Sequence, residues 1–335
     1  MKVFVTGTAG FIGYHLAQRL LAEGHLVTGY DGLTDYYDPA LKQARLDRLR
    51  RHNGFTDIRG MLEDGELLGR SIEGFAPDVI VHLAAQAGVR YSLEHPETYV
   101  QSNFDGTFQL LEAAKAARPQ HLLFASTSSV YGGNNAVPFR ETDAADWPLS
   151  IYAATKKAGE AMTHAYAHLH GLPTTCFRFF TVYGPWGRPD MALFRFAAAI
   201  EKGEPIDVYG EGRMRRDFTY IDDLVEAVIR LIALPPEQGR PVPVEGGQDS
   251  LSPVAPWRVV NIAGGQPAEL TDFIAALEAA MGRSAEKWLL PMQPGDVRET
   301  HAAPDLLRAL TGQVPETPIA EGIGRFVEWY RAYTA

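Results

Sequence analysis

Cysteine is nearly absent: Cys176 is the only one in 335 residues, so no internal disulfide framework exists and a reducing compartment suits the chain. It falls within an apolar stretch and reads as buried filler rather than a nucleophile. Nowhere do about 18 apolar residues run together, the minimum for a membrane-crossing helix. The start, MKVFVTGTAGFIG, lacks the apolar stretch and cleavage site of a secretory leader, so a cytoplasmic location is expected. Positive charge is in deficit. Lys and Arg number 31 against 41 Asp and Glu, a formal net charge of -10. The basic residues are scattered, which argues against a nucleic-acid partner but leaves room for a local arginine pocket that takes phosphates. His164 and His168 have the spacing of a zinc pair, but no Glu follows His164, and no metal is expected. Trp147, Trp186, Trp257, Trp288 and Trp329 are dispersed and build no stacking platform. There is no internal repeat and no low-complexity tract.

What is there is an ordinary globular composition, 46% hydrophobic and 21% charged, long enough for a large core domain plus a smaller lobe. Lys2–Thr6, Leu26–Tyr30, Asp78–Leu83, His121–Ser126 and Thr174–Phe179 read as buried strands, with a weaker one at Phe55–Arg59. Segments of helical length, Phe11–Glu23, Pro39–His52, Glu97–Ala117 and Ser150–His170, alternate with them. Such strand–helix–strand repeats predict a parallel sheet covered on both faces. After Tyr183 the texture changes to a GPWGRPDMA loop, a helix at Leu193–Lys202, an extended piece at Pro205–Tyr209 and a helix at Asp222–Leu234. The stretch Leu234–Pro256, rich in proline and glycine, is expected as a surface loop. Helices at Thr271–Met281 and Pro318–Tyr333 close the chain. The expected division is 1–180 as a nucleotide-binding core and 181–335 mainly as a second lobe, with about 218–234 and 257–264 returning to the core.

The first strand runs into Gly7-Thr8-Ala9-Gly10-Phe11-Ile12-Gly13, which opens a helix, and an acid, Asp31, ends the second strand. This context turns a weak glycine string into a dinucleotide-binding signature of a Rossmann-type, doubly wound α/β fold. Small residues let the backbone approach a pyrophosphate, and the helix N-terminus favours its charge. Gly7, Gly10, Phe11, Ile12 and Gly13 are the candidate cradle. Asp31 can bond both hydroxyls of an adenosine ribose and would repel a 2′-phosphate, which favours NAD over NADP. A tight turn without a ligand is the bland alternative.

Tyr152 and Lys156 are four residues apart near the start of a helix and share one face. A neighbouring ammonium is expected to lower the tyrosine pKa and make a usable base. The run Ser126-Thr127-Ser128-Ser129-Val130-Tyr131-Gly132 closes a parallel strand, where open α/β sheets bind ligands. Thr127 is placed there to hold the oxygen that Tyr152 deprotonates; a Ser/Thr turn bonded to its own backbone is the alternative.

Together with His82-Leu83-Ala84-Ala85, these motifs resemble the extended short-chain dehydrogenase/reductase family. The strings SIYAATKK from Ser150, RFFTVYGPWGRPDMA from Arg178 and RDFTYIDD from Arg216 are similar to those of NAD-dependent sugar-nucleotide epimerases, above all UDP-glucuronate 4-epimerases, over nearly the whole chain. The resemblance implies an isomerase with Thr127, Tyr152 and Lys156 as its catalytic set and NAD as its cofactor, with Leu83, Ala84, Ala85 and Lys156 joining the glycine cradle and Asp31. The smaller C-terminal α/β lobe would bind the UDP-sugar substrate. Members that dehydrate or decarboxylate carry Thr-Asp-Glu or Thr-Ser-Glu where this chain has Thr127-Ser128-Ser129. Without those acids, dehydration loses its acid/base pair and decarboxylation loses support. Thr127, Ser128, Ser129 and Thr181 are expected to line the carboxylate end of the pocket and hydrogen-bond a substrate carboxylate. Arg188, Arg216 and Arg298 are candidates for the diphosphate or uridine ribose, and surface or salt-bridge arginines are the bland reading. Asp296 is a candidate for a ribose hydroxyl, and Arg90 and Met191 complete the expected substrate contacts. Asn103 is expected to orient the cofactor or a neighbouring loop. Met61 departs from the Asp that many relatives place against adenine. The helices Glu97–Ala117 and Ser150–His170 are where relatives pair, so a homodimer is expected. Epimerases for neutral sugars, UDP-glucuronate decarboxylases and a silent NAD-binding regulatory protein stay open as alternatives.

Overall fold

The computed structural model describes residues 1–293 and 297–335. Its core is a seven-stranded sheet built from β1 (Lys2–Thr6), β2 (Leu26–Asp31), β3 (Phe55–Arg59), β4 (Val79–His82), β5 (His121–Thr127) and β6 (Thr174–Phe179), completed by a late strand, Trp257–Ile262. From one edge the order is Trp257–Ile262, β6, β5, β4, β1, β2, β3, and every pairing is parallel. β4, β5 and β6 are buried along their whole length. That is why they read as unbroken apolar runs: both faces of a parallel sheet are covered. β1 has β2 on one side and β4 on the other. The strand order therefore reverses at β1, and a crevice opens beyond its carboxyl end.

Two helices frame that crevice. α1 (Phe11–Ala22) begins directly after the glycine loop. α2 (Pro39–Leu49) starts with Pro at its first position, and the Asp38 carboxylate accepts from Ala40 N at 2.8 Å, two features that fix a helix start.

The second part of the chain adds β7 (Thr181–Tyr183), β8 (Ile206–Tyr209), β9 (Arg215–Tyr220), β10 (the edge strand Trp257–Ile262 already placed), β11 (Pro267–Glu269), β12 (Lys287–Leu290) and β13 (Glu299–Thr300). β9 pairs with β7, β11 and β13, and β8 pairs with β12. The helix Ile221–Ile232 packs on the larger sheet's side, where Glu226 takes Arg19 of α1 at 2.8 Å. One continuous core joins both parts, running from Phe11 and Leu16 of α1 to Phe196, Phe273 and Phe326. Residues 234–256 form neither helix nor strand. They are tied down where Arg258 of β10 grips Asp249 at 2.8 and 2.9 Å.

Several elements of the second part of the chain, among them the strand Arg215–Tyr220 and the helix Asp305–Thr311, were not expected from the sequence, and two departures lie beside the larger sheet. The helix Gly65–Phe75 was not foreseen, because three glycines dilute its pattern; the Asp64 cap on Leu67 N (3.0 Å) and buried Leu68 and Ile72 hold it. The long helix expected at Glu97–Ala117 is interrupted by a π-turn at Val100–Asp105, the kind of bulge that re-aims a side chain; here it buries Asn103. Among the described residues, no helix is long and apolar enough to cross a membrane, and no three side chains group as a metal site.

Candidate active site

The glycine loop is tight for a stated reason. A Cβ on Gly7 would come within 2.8 Å of Ala84 N, and one on Gly13 would collide with the Gly7 carbonyl. The loop is therefore pressed between the start of α1 and the chain leaving β4, with no side chain in the way of a phosphate. Thr6 Oγ1 accepts from Leu83 N at 3.1 Å and Ala84 N at 3.0 Å, and bonds His82 Nδ1 at 2.8 Å. Burial drops the His82 pKa to about 3, so this ring is a neutral strut. Asp31 accepts from Ala9 N at 2.9 Å and Leu33 N at 2.8 Å. Burial raises its pKa, while those two amides and Lys42 pull it down. Each of its oxygens keeps a lone pair for a ribose hydroxyl. A bare backbone cradle at a helix N-terminus with an acid at the end of β2 fits a dinucleotide.

Next along the sheet edge, β5 ends at Thr127. Ser129 N donates to Thr127 Oγ1 at 3.2 Å, and Thr127 Oγ1 donates to Ser129 Oγ at 3.3 Å. The helix Ile151–His170 is capped by Ser150, which accepts from Ala153 N at 3.1 Å. Its first two turns bring Tyr152 and Lys156 against β5. Burial raises the Tyr152 phenol above its ordinary pKa, while a hydrogen bond with Thr127 and the charge of Arg188 pull it back.

Lys156 departs from expectation. Its ammonium donates to the Ala125 carbonyl at 2.9 Å and lies 5.3 Å from the Phe124 ring. Burial lowers its pKa to about 8. The lysine is drawn along the strand, so the groups that favour the phenolate are Thr127 and Arg188, not the ammonium beside it in sequence. The physical reason is that a buried ammonium takes the nearest backbone acceptor.

Arg188 belongs to the loop after β7. Burial disfavours the charge on its guanidinium, but the grip on Asp190 at 3.0 and 2.5 Å, with Tyr36 beside it, outweighs that and keeps it charged. Since its field reaches Tyr152, it sits near the phenol, beside Thr181 and Met191. These three, with Phe11 and Phe218, line a partly open cavity of about 400 Å³. Arg216 donates to the carbonyls of Val297 (2.6 Å) and Arg298 (3.1 Å), which spends it on holding the chain that enters β13. The Arg298 side chain is exposed. Arg90 stacks over the Tyr209 ring at 4.9 Å, bridging the loop after β4 to β8. Asp296 lies outside the described residues. Met61 is partly exposed, and its carbonyl is taken by Tyr30 at 2.9 Å.

Several supporting residues went unnoticed in the sequence. Glu160 accepts from Ser126 Oγ (2.6 Å) and from both arms of Arg178 (2.8 Å each), and all three are buried. Burial would raise the Glu160 carboxyl, but Arg178 holds it below the ordinary value. Tyr152, Lys156 and Glu160 recur every four residues, and an arginine interrupts the apolar TTCFRFF; both were legible signs. Asn103, which the sequence did single out, accepts from Gln86 N at 2.8 Å and donates to Thr155 at 3.2 Å, so of its two expected roles it orients the neighbouring loop. Tyr36 donates to Asp190 at 3.1 Å, and Tyr99 lies edge-on to Tyr152 at 6.0 Å.

With this geometry in view, the comparisons with known proteins decide the family. A profile described as the NAD dependent epimerase/dehydratase family matches residues 3–244. The chain belongs to that family. It is 59% identical over 330 residues to a probable UDP-glucuronate 4-epimerase of Rhizobium meliloti, covering 98% of this chain and 97% of that one. It is also similar to the solved UDP-glucuronic acid 4-epimerase of Bacillus cereus in complex with UDP-glucuronic acid and NAD, at 32% identity, TM-score 0.87, and coverage of 99% and 100%. A Thermotoga maritima UDP-glucose 4-epimerase with UDP-glucose fits nearly as well in shape, at TM-score 0.85 and 27% identity over 100% of both chains. Within the family, then, shape does not choose between an acidic and a neutral sugar.

Proposed function

We propose that this chain is an NAD-dependent UDP-glucuronate 4-epimerase, interconverting UDP-glucuronate and UDP-galacturonate. The observation that carries the reading is the cluster of Thr127, Tyr152 and Arg188 beside a dinucleotide cradle, with no acid among Thr127-Ser128-Ser129. Gly7, Gly10, Phe11, Ile12, Gly13, Asp31 and the Leu83–Ala85 stretch would hold the cofactor, with Lys156 beneath it. Bound there, NAD would supply reversible hydride acceptance from sugar C4, and its cationic ring would help to favour the phenolate.

The chain's own part is proton handling and grip. Tyr152 takes the C4 hydroxyl proton, with Thr127 sharing the hydrogen bond, and gives it back after the sugar has turned. Between the two transfers the sugar is a 4-keto acid, which loses carbon dioxide unless its carboxylate is held. Ser128, Ser129 and Thr181 offer hydroxyl donors for that, and Arg188 offers a cation within reach of Tyr152. The earlier assignment of Arg188 to the diphosphate gives way to this sugar-end role. Arg216 then acts by holding Val297 and Arg298 in place, and Arg298 and Arg90 are the candidates for the UDP end. Firm hold on UDP with a looser hold on the ring lets the sugar rotate.

A homodimer is part of the reading. Val100, Phe104 and Phe108 follow one another every four residues and are each more than 40% exposed, an apolar stripe that a partner's helices would cover. A cytoplasmic setting goes with it, since the lone thiol is free.

The test is incubation with UDP-glucuronate followed by NMR. UDP-galacturonate is the expected product. UDP-xylose would make the enzyme a decarboxylase, turnover confined to UDP-glucose a neutral-sugar epimerase, and no product with retained NAD a binding protein. Tyr152→Phe should keep the cofactor and lose interconversion.

A further inference from the structure

Arg45 of α2 is completely buried, 0% exposed, yet among the described residues no carboxylate lies within ion-pair distance of it. It donates to neutral oxygens only: Ala9 O at 2.8 Å, Tyr37 Oη at 2.7 Å, Trp186 O at 2.5 Å and Gly187 O at 3.2 Å. Its Nε has no partner. A buried cation without a counter-charge is costly, and an apolar side chain of similar volume is often the more stable choice. What the guanidinium holds must account for its presence.

It holds two loops that are 141 and 142 residues apart from it or 36 residues upstream. On one side is Ala9, the middle of the glycine cradle, whose N–H is already fixed by Asp31 at 2.9 Å. On the other are Trp186 and Gly187, directly preceding Arg188. That second loop is stiff. His15 bonds the Pro185 carbonyl at 2.9 Å, and Trp186 sits at φ 59°, a region that bulky residues avoid, with its ring 5.5 Å from Tyr14. Arg188 is locked in turn by Asp190. The path from cradle to Arg188 guanidinium thus has few free torsions, and Arg45 is its only direct link between the two loops' backbones among the described residues.

We infer that Arg45 is a positioning residue that locks the cofactor cradle to the loop bearing Arg188, so that one buried guanidinium sets the spacing between cofactor and sugar carboxylate. Being buried, it touches neither ligand. A planar fork reaches both loops at once, which the single nitrogen of lysine cannot do. The inference rests on the proposed role of Arg188 toward an acidic sugar.

The test is a double-mutant cycle, with UDP-glucuronate binding to the NAD-loaded enzyme read by calorimetry. Arg45→Lys should raise Kd about 10-fold in the native background, the scale of one charge-assisted hydrogen bond lost at the sugar carboxylate. In an Arg188→Met background the same change should cost less than about 2-fold, because coupled residues are non-additive. An equal cost in both backgrounds means a merely structural role and overturns the inference. If Arg188→Met alone leaves Kd unchanged, the carboxylate reading is what fails. The link is then decided by hydrogen exchange. NAD should slow exchange at residues 185–190 in the native enzyme but not in Arg45→Lys, while the glycine loop is slowed in both; persistence of the slowing in Arg45→Lys refutes the link. Should Arg45→Lys fail to fold, Tyr37→Phe, which frees one arm of the same knot, runs through both measurements with the same ordering expected.

Discussion

Lys156→Met should make the cofactor-free protein more stable near neutral pH while abolishing turnover. The Lys156 pKa falls from an ordinary 10.5 to about 8 because burial penalises the ammonium. At pH 7 the folded protein therefore carries a buried cation it disfavours, at a cost of about 3 kcal/mol from ~1.4 kcal/mol per pKa unit. The folded pKa is the lower one, so the unfolded chain binds more protons between the two values, and stability gains as pH rises from about 8 to about 10.5. Methionine removes the penalty but leaves the Ala125 carbonyl without its 2.9 Å donor, a loss of roughly 1–3 kcal/mol. The net expected change is a gain of about 1 kcal/mol at pH 7. The sharper signature is the pH slope. The difference between variant and native protein should move by about 2–3 kcal/mol against the variant between pH 7 and pH 10. Urea unfolding at both pH values, without cofactor, reads it directly. A stability difference that does not change with pH refutes the buried-cation account.

Other consequences are checked separately. Glu160→Gln leaves Arg178 buried without its counter-charge and should cost about 3–5 kcal/mol in urea unfolding, since breaking a buried pair strands one charge. Gly13→Ala drives a methyl into the Gly7 carbonyl; NAD titration should show binding lost by roughly 100-fold or more, as close backbone approach to the diphosphate is blocked. Replacing Ser128 and Ser129 together with Ala should lower kcat/KM for UDP-glucuronate by about 100-fold or more, at ~1.5–3 kcal/mol per hydrogen bond to a charged group, and leave UDP-glucose little changed; an equal loss for both sugars would discredit the carboxylate assignment. Phe104→Glu with Phe108→Glu should yield a monomer by light scattering if that stripe is the subunit contact.

The larger sheet was readable from the chain because its cues are local. Apolar runs at β1, β2, β4, β5 and β6, a glycine string between strand and helix, and Tyr152 four residues before Lys156 each declare themselves within a few positions. The same locality explains the misses. Gly65–Phe75 carries helix-weakening glycines and is rescued by a cap and two buried side chains. The π-turn that buries Asn103 inserts one residue's worth of slack, which no periodicity shows.

The chemistry's fine structure was decided across the fold. Four residues from Tyr152 in sequence, the Lys156 ammonium was expected to tune the phenol; in space it turns to Ala125, and Arg188, from a loop 36 positions away, supplies the field while Thr127 supplies the hydrogen bond. Arg45 reads as an ordinary helix residue until Ala9 and Gly187 are seen on either side of it. Sequence by itself determined the sheet and the glycine loop between strand and helix, because these depend on neighbours in the chain. Only the tertiary structure decided which charges face one another, because desolvation and Coulomb attraction act through space and take no account of sequence separation.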